Sequence, residues 1–544
     1  MTVDSVRPSS GVLTRNTKRS RIGLSPRGVF WIAFSAFFIL TTAWSLYNPL
    51  TASPDEQSHI KKAAATAYGQ IFNEEILVDR VVEVPEIYRD ISYLICNAFD
   101  RDMPISECET PLIDTQESPN GWVTTDTPAA RYNPLYYALV SWPALFSHSR
   151  VGIYLMRILS GALASFFLAL GFRSLSQAKL PGLSFTLAAA GLTPMVFFLA
   201  GSVNPQALEL SSAFALWSQV FLVIRRTSPS ELGRRMWLLA FIASVFANTR
   251  GLTPFFMTLG LFGAIALQPW KQTWVVIKDR RSWGPIFVTF LATLAASIWI
   301  LKTGNLTSVD GPETFVTPRF LAMYTLRHTD EYIVHAVGTF GWMHAPMPLW
   351  AFMLFTTAFI VALLLIWMLA RRRERLVIFS SGILFCLIVP IILHASQARS
   401  LGIMWQGRYI LPLIILIPVM ASYVLADCDS FPEVPSARAI SAWAFVFWLV
   451  QADSIVFNLH RQLTGVAGTW KLYISPWQPP LPLWTVPFVL GAAGALIFFL
   501  FTRGGVPSHQ AAAMFEEEPT LERDVLEPVE KLAVGPVEAE DTTH

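Results

Sequence analysis

The stretch "SPDEQSH", residues 53–59, sets two carboxylates and an imidazole about one helical turn apart. On a helix Asp55 and His59 are four residues apart and Glu56 and His59 three apart, so all three share roughly one face. A carboxylate beside a histidine can bind a divalent cation or relay a proton. The same residues also read as a plain helix start. Ser53 caps, Pro54 takes the first helical position and Glu56 completes a capping box. That reading accounts for the serine, proline and glutamate, and leaves His59 over.

Arginines make the second set of candidates. Arg408, in "WQGRYILPL", opens an apolar run, where a guanidinium fork matches phosphate oxygens. It reads equally as an interfacial anchor or as the partner of an acid such as Asp453. Arg157 and Arg250 carry the same alternatives. His344, in "FGWMHAPMP", is a substrate-site candidate or a satisfied loop histidine. Trp342, Trp350 and Trp405 read as an aromatic belt or as stacking faces for a sugar. Cys96 and Cys108 lie twelve positions apart in one polar loop and make a disulfide if that loop faces an oxidising compartment, or two free thiols if not.

The elements that hold these residues are membrane helices. The chain is 53% hydrophobic and 14% charged, with mean hydropathy +0.46, whereas soluble domains carry roughly 25% charged residues. Runs long enough to cross a bilayer fall near 29–48, 151–172, 183–201, 205–224, 236–249, 252–268, 284–301, 349–370, 376–396, 408–426, 439–458 and 483–502. The spacing predicts an all-α polytopic membrane protein of about twelve spans, 29–502, between a basic tail, 1–28, and an acidic, disordered tail, 503–544. Arg7, Arg15, Lys18, Arg19, Arg21 and Arg27 stand against Asp4 in the first tail, and from about 504 onward ten acids stand against Arg523 and Lys531 in the second. Basic clusters at Arg225–Arg226, Arg234–Arg235, Lys271–Arg281 and Arg371–Arg375 mark the inner loops, so both termini are expected in the cytoplasm. Counting "YNPLYYALVSWPALF" (132–146) as a span would put those clusters outside. It is read as a juxtamembrane or re-entrant helix within a large first outer loop, 49–150. Outer loops at 302–348 and 459–482 complete that face.

On this topology the polar groups gather at the outer face: Asp55, Glu56, Arg157, Asn204, Glu209, Asn248, Arg250, His335, His344, His394, Gln406, Arg408 and Asp453. A transporter would more often hold such groups near the midplane.

In order, "SPDEQSH", "YNPLYY", "SVNPQAL", "FGWMHAPMP" and "GRYILPL" resemble a bacterial multi-pass membrane family with domain of unknown function 2142. That family is in turn similar to the GT-C superfamily of integral-membrane glycosyltransferases. The resemblance covers roughly 28–500. It implies a GT-C-like fold and transfer of a sugar from a polyprenyl-phosphate donor to a cell-envelope glycan or lipid acceptor, at the outer face of the bacterial cytoplasmic membrane. It makes Asp55 and Glu56 the catalytic candidates and, with a Mg or Mn ion, the metal ligands. Arg408, Arg157 and Arg250 are expected on the donor phosphate. His59, Asn204, Gln206, Glu209, His344, Gln406 and Tyr409 are expected on substrate. An acid often follows Asn-Pro in this pattern; Gln206 stands there, with Glu209 one turn on as its substitute. Membrane lipids, and no nucleic acid, are the other expected partners. A lipid-linked-glycan flippase and a non-catalytic envelope-assembly scaffold are the competing readings.

Overall fold

The computed structural model describes residues 23–72, 74–77, 79–90, 96–108, 121–304, 315–398, 402–428 and 437–506. The expectations for the basic tail up to residue 22 and for the acidic tail from 507 lie outside the described residues.

Helix α1, Pro26–Tyr47, starts at Ser25, whose Oγ accepts from the Gly28 amide at 3.2 Å, with Pro26 at the first position. It leads into α2, Glu56–Ala67. After a two-stranded antiparallel sheet, β1 (Val81–Pro85) and β2 (Trp122–Asp126), come α3, Pro134–Val140, and α4, Arg150–Leu175. Gln70 pairs with both backbone groups of Glu83 and so covers the free edge of β1. The stretch 132–146 holds only the short α3 and one 3-10 turn, Trp142–Leu145, and does not span.

Helices α5 (Pro181–Ala189) and α6 (Pro194–Ala200) are bent by 77° where a single span, 183–201, was expected. Pro194 opens the second half, and Gly191 and Thr193 lie in the break between the two. Next come α7 (Pro205–Arg226), α8 (Pro229–Ala247), α9 (Thr253–Leu267), α10 (Trp270–Lys278) and α11 (Arg280–Thr303). The second half holds α12 (Pro318–Arg327), α13 (Thr329–Gly338), α14 (Leu349–Leu369), α15 (Arg372–Ser396), α16 (Gly407–Ala426), α17 (Ala437–Thr464) and α18 (Leu483–Gly504).

Among the described residues nine helices are long and apolar enough to cross a membrane, or ten with the bent pair counted as one, against the twelve expected. The shortfall is local. α8 opens with Glu231, Arg234 and Arg235, and α9 has 15 residues. Both form where expected and meet at a tight turn, 248–252, that presents Asn248 and Arg250.

α7 and α16 are enclosed almost all round, whereas α11, α14 and α18 leave most of their apolar surface outward. Trp283, Phe287, Phe290, Leu291, Leu294 and Ile298 make such a face on α11, as a helix needs where its surroundings are lipid. The 22 residues of α7 rise about 33 Å, close to a hydrocarbon core. At its far end Arg225 binds Asp427 at 2.8 Å and Gln268 at 2.6 Å, and Arg226 also pairs with Asp427. At its near end Asn204 caps the helix and opens the site.

Candidate active site

Six segments converge at that near end: the turn after α1, α2, α3, the start of α7, the 248–252 turn and the start of α16. The chain leaves α1 through Asn48 and turns at Thr51 and again at Asp55, both with positive φ, 63° and 66°. Asp is one of the few side chains that tolerate this left-handed conformation. Asp55 is the N-cap of α2 but makes no capping bond with its side chain. The expected Ser53–Glu56 capping box is not formed. Both acids point elsewhere, and in opposite senses.

Glu56 turns into the protein. Its Oε1 accepts from Arg157 Nε at 2.7 Å and the Val203 amide at 2.9 Å. Its Oε2 accepts from Arg157 Nη2 at 2.6 Å and the Thr51 amide at 2.9 Å. Arg157 also donates to the carbonyls of Ser45, Asn48 and Pro49, at 2.7–2.9 Å. All five guanidinium N–H groups are thereby used, and both side chains are fully buried. Glu56 as catalyst or metal ligand, and Arg157 as phosphate binder, are corrected on this point: neither has a free donor or lone pair facing a substrate. Together they clamp the α1 exit to the start of α7.

Asp55 turns outward. Its Oδ2 accepts from Arg408 Nη2 at 2.9 Å, and its side chain stays 52% exposed while that of Arg408 is 4% exposed. Arg408 pairs with Asp55, not with Asp453. Burial alone raises the Asp55 pKa, but Arg408, aided by Arg250, outweighs it and holds the carboxyl below its ordinary value. Gln406 accepts from Arg408 Nε at 2.6 Å. Gln206 donates to the Arg408 carbonyl at 2.7 Å and lies 3.5 Å from Nη1. Gly407 allows this approach, since a Cβ there would collide with the Tyr332 carbonyl of α13.

Arg250 completes the positive wall. It binds Glu209 at 3.2 Å and lies over the Tyr409 ring at 5.6 Å; Arg408 lies over the same ring at 5.2 Å. Thr253 also donates to Glu209, at 3.4 Å. Glu209 therefore balances Arg250 and does not stand in for the acid missing at Gln206. Asn204 caps α7 through the Gln206 amide at 2.9 Å and reaches the Pro54 carbonyl at 3.4 Å. Asn133 Nδ2 bonds Asn248 Oδ1 at 3.1 Å, tying α3 to the 248–252 turn.

His59 lies beside this pair, with Nδ1 2.8 Å from the Tyr137 hydroxyl and its ring edge-on to Tyr132 at 5.4 Å. Burial pushes its pKa down to about 3; Asp55 opposes the shift, and Arg250 and Arg408 reinforce it. The imidazole is neutral at physiological pH. Tyr132 and Tyr137 were not singled out individually in the sequence, although "YNPLYY" contains both.

Two expectations change. His344 is not on this wall: its Nδ1 accepts from the Phe99 amide at 3.1 Å and ties the hairpin of β3 (Thr339–Phe340) and β4 (Ala345–Pro346) to the loop closed by Cys96–Cys108. A cation held by Asp55 and Glu56 does not fit, because Glu56 is saturated by Arg157. Among the described residues no three His, Cys, Asp or Glu side chains gather in one place.

The family model described as "Predicted membrane protein (DUF2142)" matches residues 38–417. The chain belongs to this family. The DUF2142 region contains Asp55, Glu56, His59, Arg157, Glu209, Arg250 and Arg408, and thus the whole converged site. No curated protein matches the chain. Among solved structures, the fold is similar to that of ArnT from Cupriavidus metallidurans bound to undecaprenyl phosphate. That likeness has 12% identity and a TM-score of 0.39, and covers 90% of this chain and 78% of the other.

Proposed function

We propose that this DUF2142 protein is a membrane glycosyltransferase that moves a sugar from a polyprenyl-phosphate donor to an envelope glycan or lipid acceptor at the outer face of the bacterial cytoplasmic membrane. The observation that carries the reading is the Asp55–Arg408 pair: a half-exposed carboxylate against a nearly buried guanidinium, at the polar end of an apolar bundle. Membership of the DUF2142 family, which resembles the GT-C enzymes, supports the same reading.

The acceptor hydroxyl attacks the anomeric carbon as the bond from that carbon to the phosphate oxygen breaks. The bonding electrons pass to the phosphate, and the hydroxyl proton passes to Asp55. Attack opposite the leaving group inverts the anomeric centre. Arg408 and Arg250 stabilise the charge that grows on the phosphate. No step needs a metal. Arg408 is engaged by Asp55 at rest, so an arriving phosphate competes for it. Taking Arg408 from Asp55 removes the charge that holds the carboxyl below its ordinary value and so makes it a stronger base.

The test is transfer by the purified protein in lipid nanodiscs, with a panel of labelled polyprenyl-phosphate sugars and envelope acceptors. Asp55→Asn should cut kcat by about 10²–10⁴-fold, and Arg408→Ala should lower both kcat and donor affinity. Full transfer by a well-folded Asp55→Asn protein would remove Asp55 as base. Movement of intact lipid-linked glycan across the bilayer, without bond cleavage, would replace the transferase by a flippase.

A further inference from the structure

The hydrogen bond between His59 and Tyr137 defines how the imidazole faces the site. Both residues are buried, and Nδ1 lies 2.8 Å from the hydroxyl. Either atom could carry the shared proton. If Nδ1–H donated, the Tyr137 hydroxyl would have to place its own proton elsewhere. Among the described residues it makes no other hydrogen bond, and a buried donor without an acceptor costs about 1–3 kcal/mol. If the hydroxyl donates to Nδ1, no donor is stranded. Burial raises the Tyr137 pKa well above its ordinary value, which keeps the hydroxyl protonated.

The other ring nitrogen then carries the hydrogen. Nε2 has no partner among the described residues, yet it is not sealed from solvent as the orphaned Nε2 of His344 is. The charged groups that act on the ring are Asp55, Arg250 and Arg408, and Tyr132 packs against its edge.

We infer that Tyr137 is a positioning residue that locks His59 as the neutral Nε2–H tautomer, so that His59 donates a hydrogen bond to a phosphate oxygen held beside Arg408 and Arg250. The inference rests on the proposed function only for the identity of that oxygen. A neutral donor at this point adds direction without adding charge. It also leaves Asp55 as the one base in the site, since an imidazole with Nδ1 occupied and Nε2 protonated has no lone pair to offer.

The test is nitrogen NMR of the full chain in nanodiscs with labelled histidine; the chain has nine histidines, and His59→Gln assigns the signal. The expected spectrum has a protonated Nε2 and a bare Nδ1 that accepts a hydrogen bond. Titration with a polyprenyl monophosphate should shift the Nε2 resonance. Tyr137→Phe should mix the tautomers and weaken phosphate-lipid binding about tenfold. His59→Gln, which keeps a donor near the Nε2 position, should retain more binding than His59→Asn. A protonated Nδ1 in the wild type overturns the inference even if Tyr137→Phe does not fold. So does an Nε2 signal that ignores bound phosphate lipid. Because the tautomer is read without turnover, a protein that locks His59 but transfers no sugar would overturn the proposed function alone.

Discussion

Two adjacent carboxylates, Asp55 and Glu56, have opposite fates, and the difference is which arginine each one meets. Glu56 meets Arg157 where neither is reached by water. Removing one member of such a pair strands a buried charge and costs about 3–5 kcal/mol. Glu56→Gln and Arg157→Met should therefore each lower the thermal midpoint sharply, and the double variant should be less damaged than the sum. Asp55→Asn should lower that midpoint less, because the carboxylate is half exposed and the amide still offers Arg408 an acceptor oxygen. An Arg157 variant that kept full stability and lost only donor affinity would restore Arg157 to the phosphate. His59 supplies part of the pH dependence, as does His344. The folded pKa of His59 is about 3 against an ordinary 6.5, so the unfolded chain binds the extra proton first. Stability therefore rises with pH between those values, and acidification from 6.5 toward 3 is destabilising. In denaturation midpoints across that range, His59→Gln should flatten part of the slope. An unchanged slope would mean that His59 titrates alike in both states.

At the scale of elements, the site depends on a turn, 48–55, that Arg157 of α4 holds at Asn48 and Pro49 and that the outer loops hold at Thr51. Trp342 Nε1 donates to the Thr51 carbonyl at 3.2 Å, and the Phe99 ring packs against Trp342 at 5.9 Å. Phe99 is held through its amide by His344, and Arg461 of α17 binds the carbonyls of Asn97 and Asp100. The Cys96–Cys108 bridge closes this loop. Opening it should cost about 3 kcal/mol by the loop-closure argument and loosen Trp342 against Thr51. Transfer by the wild type should thus fall on reduction, whereas a Cys96→Ser/Cys108→Ser protein should be slower from the start and indifferent to reductant. Equal rates in all states would uncouple the loop from the turn. The helices behind this turn were legible because their apolar runs are long, and Asp55 and Arg408 because each sits where such a run meets a polar segment. The partners of Glu56 and Arg157 were not legible. They are set by the carbonyls of Ser45, Asn48 and Pro49, and backbone groups leave no mark in side-chain spacing. The break at 190–193 was hidden for a different reason: residues 183–201 carry no charge and are mostly apolar, and only Gly191 and Pro194 hint at the bend.

For the whole molecule, charge is sorted by end. Asp55, Arg250, Glu209 and Arg408 lie at one end of the bundle. The basic groups Arg225, Arg226, Lys278, Arg280, Arg281 and Arg371–Arg375 lie at the other, with Asp427 and Glu374 among them. The proposed outer location of the site rests on two general rules: basic residues that flank spans are retained on the cytoplasmic side, and disulfides such as the one at the site end persist in oxidising compartments. The two ends can be labelled separately. With Cys386 and Cys428 replaced by Ser and the bridge left intact, Lys471→Cys reports on the loop after α17, beside the site. Gln272→Cys on α10 reports on the basic end. A membrane-impermeant maleimide should label the first in intact cells and the second only after permeabilisation. The reverse pattern would set Asp55 and Arg408 in the cytoplasm, where a donor sugar displayed on the outer leaflet could not reach them. The transfer chemistry would then need a donor on the inner leaflet, and the acceptor could no longer be an envelope glycan already exported.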